Sequence, residues 1–163
     1  MEASLVGSEM CIRDRVSVST ARSLSDTTTG TVTGTITSGT TIAAMLDENT
    51  GLIETDAYTI TIAAGDAEVT ATDLTALYGK TSVAVDASAV SALSGSYSEI
   101  VALYESSGVS GFGDESITIT GGSLSVTEAN AIDLLTTGTV TASIATTETV
   151  DSLKTLTGTN AYR

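Results

Sequence analysis

Internal repetition constrains this chain more than any other feature. The string TTGTVT occurs at residues 28–33 and again at 136–141, an offset of 136 − 28 = 108. Further along, TDAY at 55–58 answers TNAY at 159–162, an offset of 159 − 55 = 104. A four-residue insertion near residues 48–51 reconciles the two registers. A shorter offset of 57 carries Ile60 to Ile117, Ile62 to Ile119, Val69 to Val126, Leu77 to Leu134 and Val83 to Val140. Apolar positions held at a fixed offset indicate supersecondary units that bury their apolar faces only by stacking on one another.

Two periodicities alternate within the repeats. TVTGTIT (31–37), YTITI (58–62), SVAVDAS (82–88), SITIT (116–120) and TVTASI (139–144) alternate β-branched and small residues with period two, the signature of strands. Between them lie short helical patterns. Leu74, Leu77 and Tyr78 fall at i, i+3, i+4, as do Ile100, Leu103 and Tyr104; Ala131, Leu134 and Leu135 form a third set. Ser96 with Glu99 has the spacing of a capping box, and Thr70 with Asp73 is a shorter-armed version. Gly79 and Gly108 stand where helix stops are expected, through the left-handed conformation that glycine adopts cheaply.

Strand–helix units need crossover connections, which give parallel strands. The expected fold class is therefore α/β, a parallel solenoid with one strand and one short helix per repeat. An all-β solenoid or sandwich is the alternative. Strands near 32, 60, 83, 117 and 140 are expected side by side. Ile60, Ile62, Val83, Val85, Ile117, Ile119 and Val140 should supply the core, covered by Leu74, Leu77, Ile100, Leu103, Leu134 and Leu135.

The first fifteen residues do not share this character. They hold the only Cys and two of the three Met. Read back into codons, Leu5 to Asp14 corresponds to CTC GTG GGC TCG GAG ATG TGT ATA AGA GAC, which resembles the end of a transposon-based sequencing adapter. A secretory signal would need an apolar run of about 7–15 residues, and none is present. Residues 1–15 are thus expected to be extraneous and poorly structured. Residues 16–27 read as a linker or frayed first repeat, and 28–163 as a repeat array truncated at both ends.

Removing Glu2, Glu9 and Asp14 from the 20 acidic residues leaves 17 against four basic ones, a net charge of 4 − 17 = −13. Sequence-independent binding to nucleic acid rests on Lys and Arg neutralising phosphates, so nucleic acid is excluded as a partner. No apolar run reaches the roughly 18 residues needed to span a bilayer, so membrane insertion is not expected. Hydrophobic residues nevertheless make up 41% of the chain, too many for a disordered acidic tail.

Catalytic constellations fail on residue type or spacing. Gly79-Lys80-Thr81 resembles the tail of a phosphate-binding loop, but the glycine that loop requires five residues earlier is Leu74. Lys80 reads instead as a complement to the dipole at a helix C-terminus. The chain has no His, and a Ser or Thr nucleophile lacks a base at a recognised spacing. The acid pairs Asp47/Glu48, Asp66/Glu68 and Asp114/Glu115 lie in turns that could donate oxygens to calcium, with Asp114 and Glu115 the best placed. Neither the EF-hand loop nor the calcium-binding nonapeptide is present. Phe112, the only Phe, is expected to cap one end of a core. No residue is assigned a catalytic, cofactor or metal role.

TGTVTASIATTETVDSLKTLTGTNAY (137–162) and VAVDASAVSALSGSYSEIVALYESSGVSGFGDE (83–115) resemble the Thr/Ser/Ala/Val-rich tandem repeats of very large bacterial extracellular proteins, the surface and adhesin-like ones especially. The resemblance implies a structural or adhesive, non-enzymatic repeat segment at the cell surface or outside the cell. Its partners would be neighbouring repeats of the same parent chain, with surface glycans as further candidates. A calcium- or glycan-binding extracellular module is the alternative.

Overall fold

The computed structural model describes residues 11–53, 56–158 and 160–163. It is a mixed α/β structure in which every strand pairing among the described residues is parallel. There is no closed barrel, and no described helix is long and apolar enough to cross a membrane. The all-β alternative is thereby set aside.

Each helix begins in the same way. The helices are α1 (Val18–Thr27), α2 (Ile42–Leu46), α3 (Ala71–Tyr78), α4 (Tyr97–Glu105), α5 (Val126–Asp133) and α6 (Val150–Leu153). Their N-caps are Ser17, Thr41, Thr70, Ser96, Ser125 and Thr149, and each side-chain oxygen accepts the N–H three residues on. An apolar or aromatic residue follows every cap, and a second apolar residue comes three positions later. In α1 to α3 these pairs, Val18 and Ala21, Ile42 and Met45, Ala71 and Leu74, are all buried. Ser96 with Glu99 forms the expected capping box, and Ser125 with Glu128 forms another. Helices this short do not persist alone in water, so packing of this stripe holds them.

The strands form two ladders. One begins with β1 (Cys11–Val16), β2 (Thr33–Ile36) and β3 (Ala57–Thr59) in that order. An isolated bridge from Thr61 to Asp86 leads on to β5 (Val85–Asp86), which pairs with β7 (Val109–Ser110). The other ladder runs β4 (Glu68–Thr70), β6 (Ala92–Gly95), β8 (Ser116–Leu124), β9 (Val140–Ile144) and β10 (Ala161–Tyr162). Four pairings share one offset: Thr33 lies opposite Ala57, Val69 opposite Leu93, Leu93 opposite Ile117 and Val85 opposite Val109, each 24 residues apart, whereas β1–β2, β8–β9 and β9–β10 are offset by 20–23.

This offset revises the sequence reading. Of the five expected strands, that near 83 does not pair with that near 117; Val85 lies opposite Val109, and Ile117 lies between Leu93 and Val140. The cause is a turn closed by Val90 N–H to Ala87 C=O (2.9 Å), which splits the extended chain into β5 and β6. The 57-residue register has no structural counterpart either. It sets the cap Thr70 against Thr127, whereas the cap of α5 is Ser125. In a Thr/Ala/Val alphabet such coincidences are cheap.

Ile60, Ile62, Val85, Ile117 and Val140 are in the core as expected, with Leu74, Leu77, Ile100 and Leu103 against them; Ile119 and Leu135 are partly buried. Two assignments fail. Leu134 is 85% exposed, because α5 turns Val126, Ala129 and Ile132 inward, and Val83 lies at the surface ahead of β5. The glycines also act differently. Gly79 is right-handed (φ −64°), and Gly108 is not among the positive-φ residues. Gly108 lies against the ring of Tyr78, where a Cβ would come within 2.6 Å of Cγ and Cδ2. Gly108→Ala should therefore lower stability by about 1–3 kcal/mol in denaturant unfolding, the range for overpacking.

Order begins earlier than expected. Backbone pairing of β1 with β2 reaches back to Cys11, inside the segment read as adapter-derived, and the segment read as a linker or frayed first repeat holds the end of β1, the cap Ser17 and helix α1 (Val18–Thr27). Residues 1–10, Met10 included, lie outside the described residues. β1 lies along the edge of β2 that β3 does not occupy, where backbone N–H and C=O groups accept an extended segment whatever its side chains.

Candidate functional site

The most elaborate side-chain cluster is built on Asp56, which is only 4% exposed. Its Oδ1 accepts the N–H of Val32 at 2.8 Å, joining the turn before β3 to the start of β2. Its Oδ2 accepts the hydroxyl of Tyr58 at 2.9 Å and that of Ser25, which α1 supplies. Tyr58 is fully buried, and its hydroxyl also reaches the carbonyl of Ala21. Burial, with the adjacent Asp56 carboxylate, pushes the Tyr58 phenol up to about 12, against an opposing hydrogen bond from Ser25.

The same cluster recurs at the far end. Asn160 Oδ1 accepts the N–H of Val140 at 2.9 Å, and Asn160 Nδ2 donates to Asp133 Oδ1. The Tyr162 hydroxyl, 3.1 Å from Asn160 Nδ2, donates to the carbonyl of Ala129. Asp56 and Tyr58 thus correspond to Asn160 and Tyr162 at an offset of 104, while Ala21, Ser25 and Val32 correspond to Ala129, Asp133 and Val140 at 108. These are the two offsets of the repeated strings. The extra residues of the first copy fall in the loop after α2. The acid has moved from the loop (Asp56) to the helix (Asp133), and an amide replaces it.

Chemically, the Asp56 cluster is an anchor. The carboxylate already accepts three hydrogen bonds, one of them from the backbone. A shallow cleft of about 420 Å³, lined by residues including Ser25, Thr28, Thr31 and Asp56, opens beside it. Among the described residues the carboxylate that Ser25 meets is this one, and it is already occupied.

The acid pairs do other work. Asp47 Oδ1 accepts the N–H groups of Asn49 and Thr50 and the Thr50 hydroxyl, closing a turn. Asp66 Oδ2 accepts the N–H of Ile42 at 2.9 Å, so an acid in the turn before β4 meets the first turn of α2; Glu148, before α6, does the same for Val126 of α5 at 3.1 Å. Glu68 is exposed. Asp114 and Glu115 do not converge. Asp114 is exposed, whereas Glu115 is 1% exposed, with Oε2 accepting the N–H of Gly113 and Oε1 without a partner. Among the described residues no three His, Cys, Asp or Glu side chains are grouped as metal ligands would be. Of the phosphate-loop lookalike, Thr81 donates its hydroxyl to the carbonyl of Tyr58. Phe112 stacks on Tyr104 with centroids 5.0 Å apart, both partly buried against the core.

Several carboxylates are held below their usual range by hydrogen bonds. Glu99 is lowered by the Ser96 N–H, then the Ser96 and Thr72 hydroxyls; Glu128 by the Ser125 N–H and hydroxyl. Asp47 is lowered by the Thr50 and Asn49 N–H groups, and Asp86 by that of Ser88. A depressed folded value contributes stability above the unfolded carboxylate range, which is lost as pH falls through the folded value. Neutralising a chain of net charge −14 relieves self-repulsion and acts in the opposite sense. The clean readout is thus a difference. Between about pH 5 and pH 3 the urea midpoint of a Glu99→Gln, Glu128→Gln double variant should converge on that of the parent.

Sequence reasoning missed Asp56 and Asn160, although the repeated D/N-A-Y string marked both. Comparison with protein-family models, curated proteins and solved structures gave no match.

Proposed function

We propose that the chain is a length of parallel α/β solenoid that acts as a structural or adhesive repeat segment of a large extracellular or cell-surface protein, without catalysis. The observation that carries this reading is the recurrent anchor. Asp56 with Tyr58, and Asn160 with Tyr162, each tie a turn to the strand and helix of the preceding unit, in sequence strings repeated at matching offsets. Polar side chains here fasten one unit to the next. The offset of 24 shared by four of the seven strand pairings supports the same reading, as do the caps that begin each described α-helix. The net charge of −14 favours solubility and disfavours sideways association of copies. Neighbouring repeats are the natural partners of such a segment.

Tandem duplication of residues 68–91 tests the proposal. Glu68 lies opposite Ala92, so the duplication inserts one unit in register. In a stack, each added unit lengthens the particle by one strand spacing, about 4.8 Å. It also adds a nearest-neighbour interface. Small-angle scattering should show this linear growth over one, two and three insertions, with a rising Tm. A particle that grows in all dimensions, or a Tm that falls with each insertion, would refute the array.

A further inference from the structure

We infer that the face formed by Val150, Leu153 and the outer edge of β10 is a docking surface for one more helix–strand unit of the kind seen at residues 70–86. The inference rests on the solenoid reading, and the 108-residue register carries it. That register sets the cap Thr41 on Thr149, Ile42 on Val150 and Met45 on Leu153. Ile42 is 6% exposed and Met45 1%, whereas Val150 is 70% exposed and Leu153 39%.

In the first copy the cover is visible. α2 packs against α3, and Asp66, in the turn before β4, accepts the N–H of Ile42. In the second copy the same two apolar positions face outward, and β10 stands last in its sheet with one edge unpaired. The face therefore continues an interface that already recurs along the molecule, and the occupant it fits is what sits there in the first copy. That occupant is a Ser/Thr-capped helix whose apolar stripe meets Val150 and Leu153, followed by an extended segment adding in parallel to the sheet edge, as residues 82–86 do beside β3 and Ile60. Elsewhere among the described residues the only large apolar side chains this exposed are Val83 and Leu134.

The test extends the full chain after Arg163 with a copy of residues 60–86, which carries both the helix and the extended segment that lies beside β3 in the first copy. Tyr162 corresponds to Tyr58, so Arg163 takes the place of Thr59 and the added copy continues in register. Amide exchange at 150–153 and 161–162 is the readout. Docking should raise protection there about tenfold or more. The same extension with Leu74→Asp and Leu77→Asp in the added copy should leave protection at the level of the unextended chain. Equal protection from both extensions, or none from either, overturns the inference. Self-association of the unextended chain that Leu153→Asp abolishes would also overturn it, by giving the face to a second copy. Duplication of 68–91 does not involve this face. Growth there without protection here would remove the docking surface and leave the array standing.

Discussion

Asp56→Ala is expected to cost about 2–4 kcal/mol of unfolding free energy, because it strips an acceptor from the buried Val32 N–H and the buried Tyr58 hydroxyl. The Val32 N–H loses its only recorded partner, and Ser25 and Tyr58 lose the carboxylate between them. Tyr58 keeps the Ala21 carbonyl at 3.3 Å, which limits the damage on that side. Asp56→Asn should cost far less, about 1 kcal/mol or below, since the amide oxygen can still accept the backbone N–H. The chain already contains that solution, with Asn160 holding Val140 in the second copy. Equilibrium unfolding in urea separates the two variants. Equal losses from Ala and Asn would mean that the negative charge, rather than the acceptor, matters at this position.

The second large effect distinguishes two leucines that a sequence repeat makes equivalent. Leu77 and Leu134 are related by the 57-residue offset, yet Leu77 is fully buried and Leu134 is 85% exposed. Leu77→Ala should cost about 2–5 kcal/mol, the range for a buried leucine that leaves a cavity. Leu134→Ala should change stability by no more than about 0.5 kcal/mol, as surface substitutions usually do. Similar losses at both sites would restore the 57-residue register and place Leu134 in the core.

What the sequence disclosed and what it hid divide along the range of the interactions. Caps are local, and Ser96 with Glu99 was readable because both partners lie within one turn. The core residues Ile60, Ile62, Ile117 and Val140 were readable from period-two alternation. Strand partners were readable in part. The strands near 32 and 60, and those near 117 and 140, pair as expected, but that near 83 does not reach 117, because a parallel ladder is set by the length of chain between its strands. Here a single turn at 87–90 diverts Val85 and Leu93 into different ladders. Helices α1, α2 and α6 escaped detection for another reason. With 10, 5 and 4 residues they are too short to establish a period: α1 and α6 offer three and two apolar positions, and α2 is apolar throughout. The shared Ser/Thr cap followed by apolar residues at the first and fourth helical positions would have found them. Asp56 was passed over as an ordinary loop acid. The signal was present in the recurrence of D/N-A-Y, since repetition of a polar residue together with a tyrosine points to a buried hydrogen bond.

The parallel register, with each strand beside the one about a unit further along, is the claim on which everything else depends. Nuclear Overhauser effects between backbone protons test it directly. Strong interstrand contacts are expected between Val69 and Leu93, between Leu93 and Ile117, and between Ile117 and Val140, in the staggered pattern of parallel pairing. Close Hα–Hα contacts between β5 and β6, or between β8 and β9, would instead show antiparallel hairpins and contradict the fold.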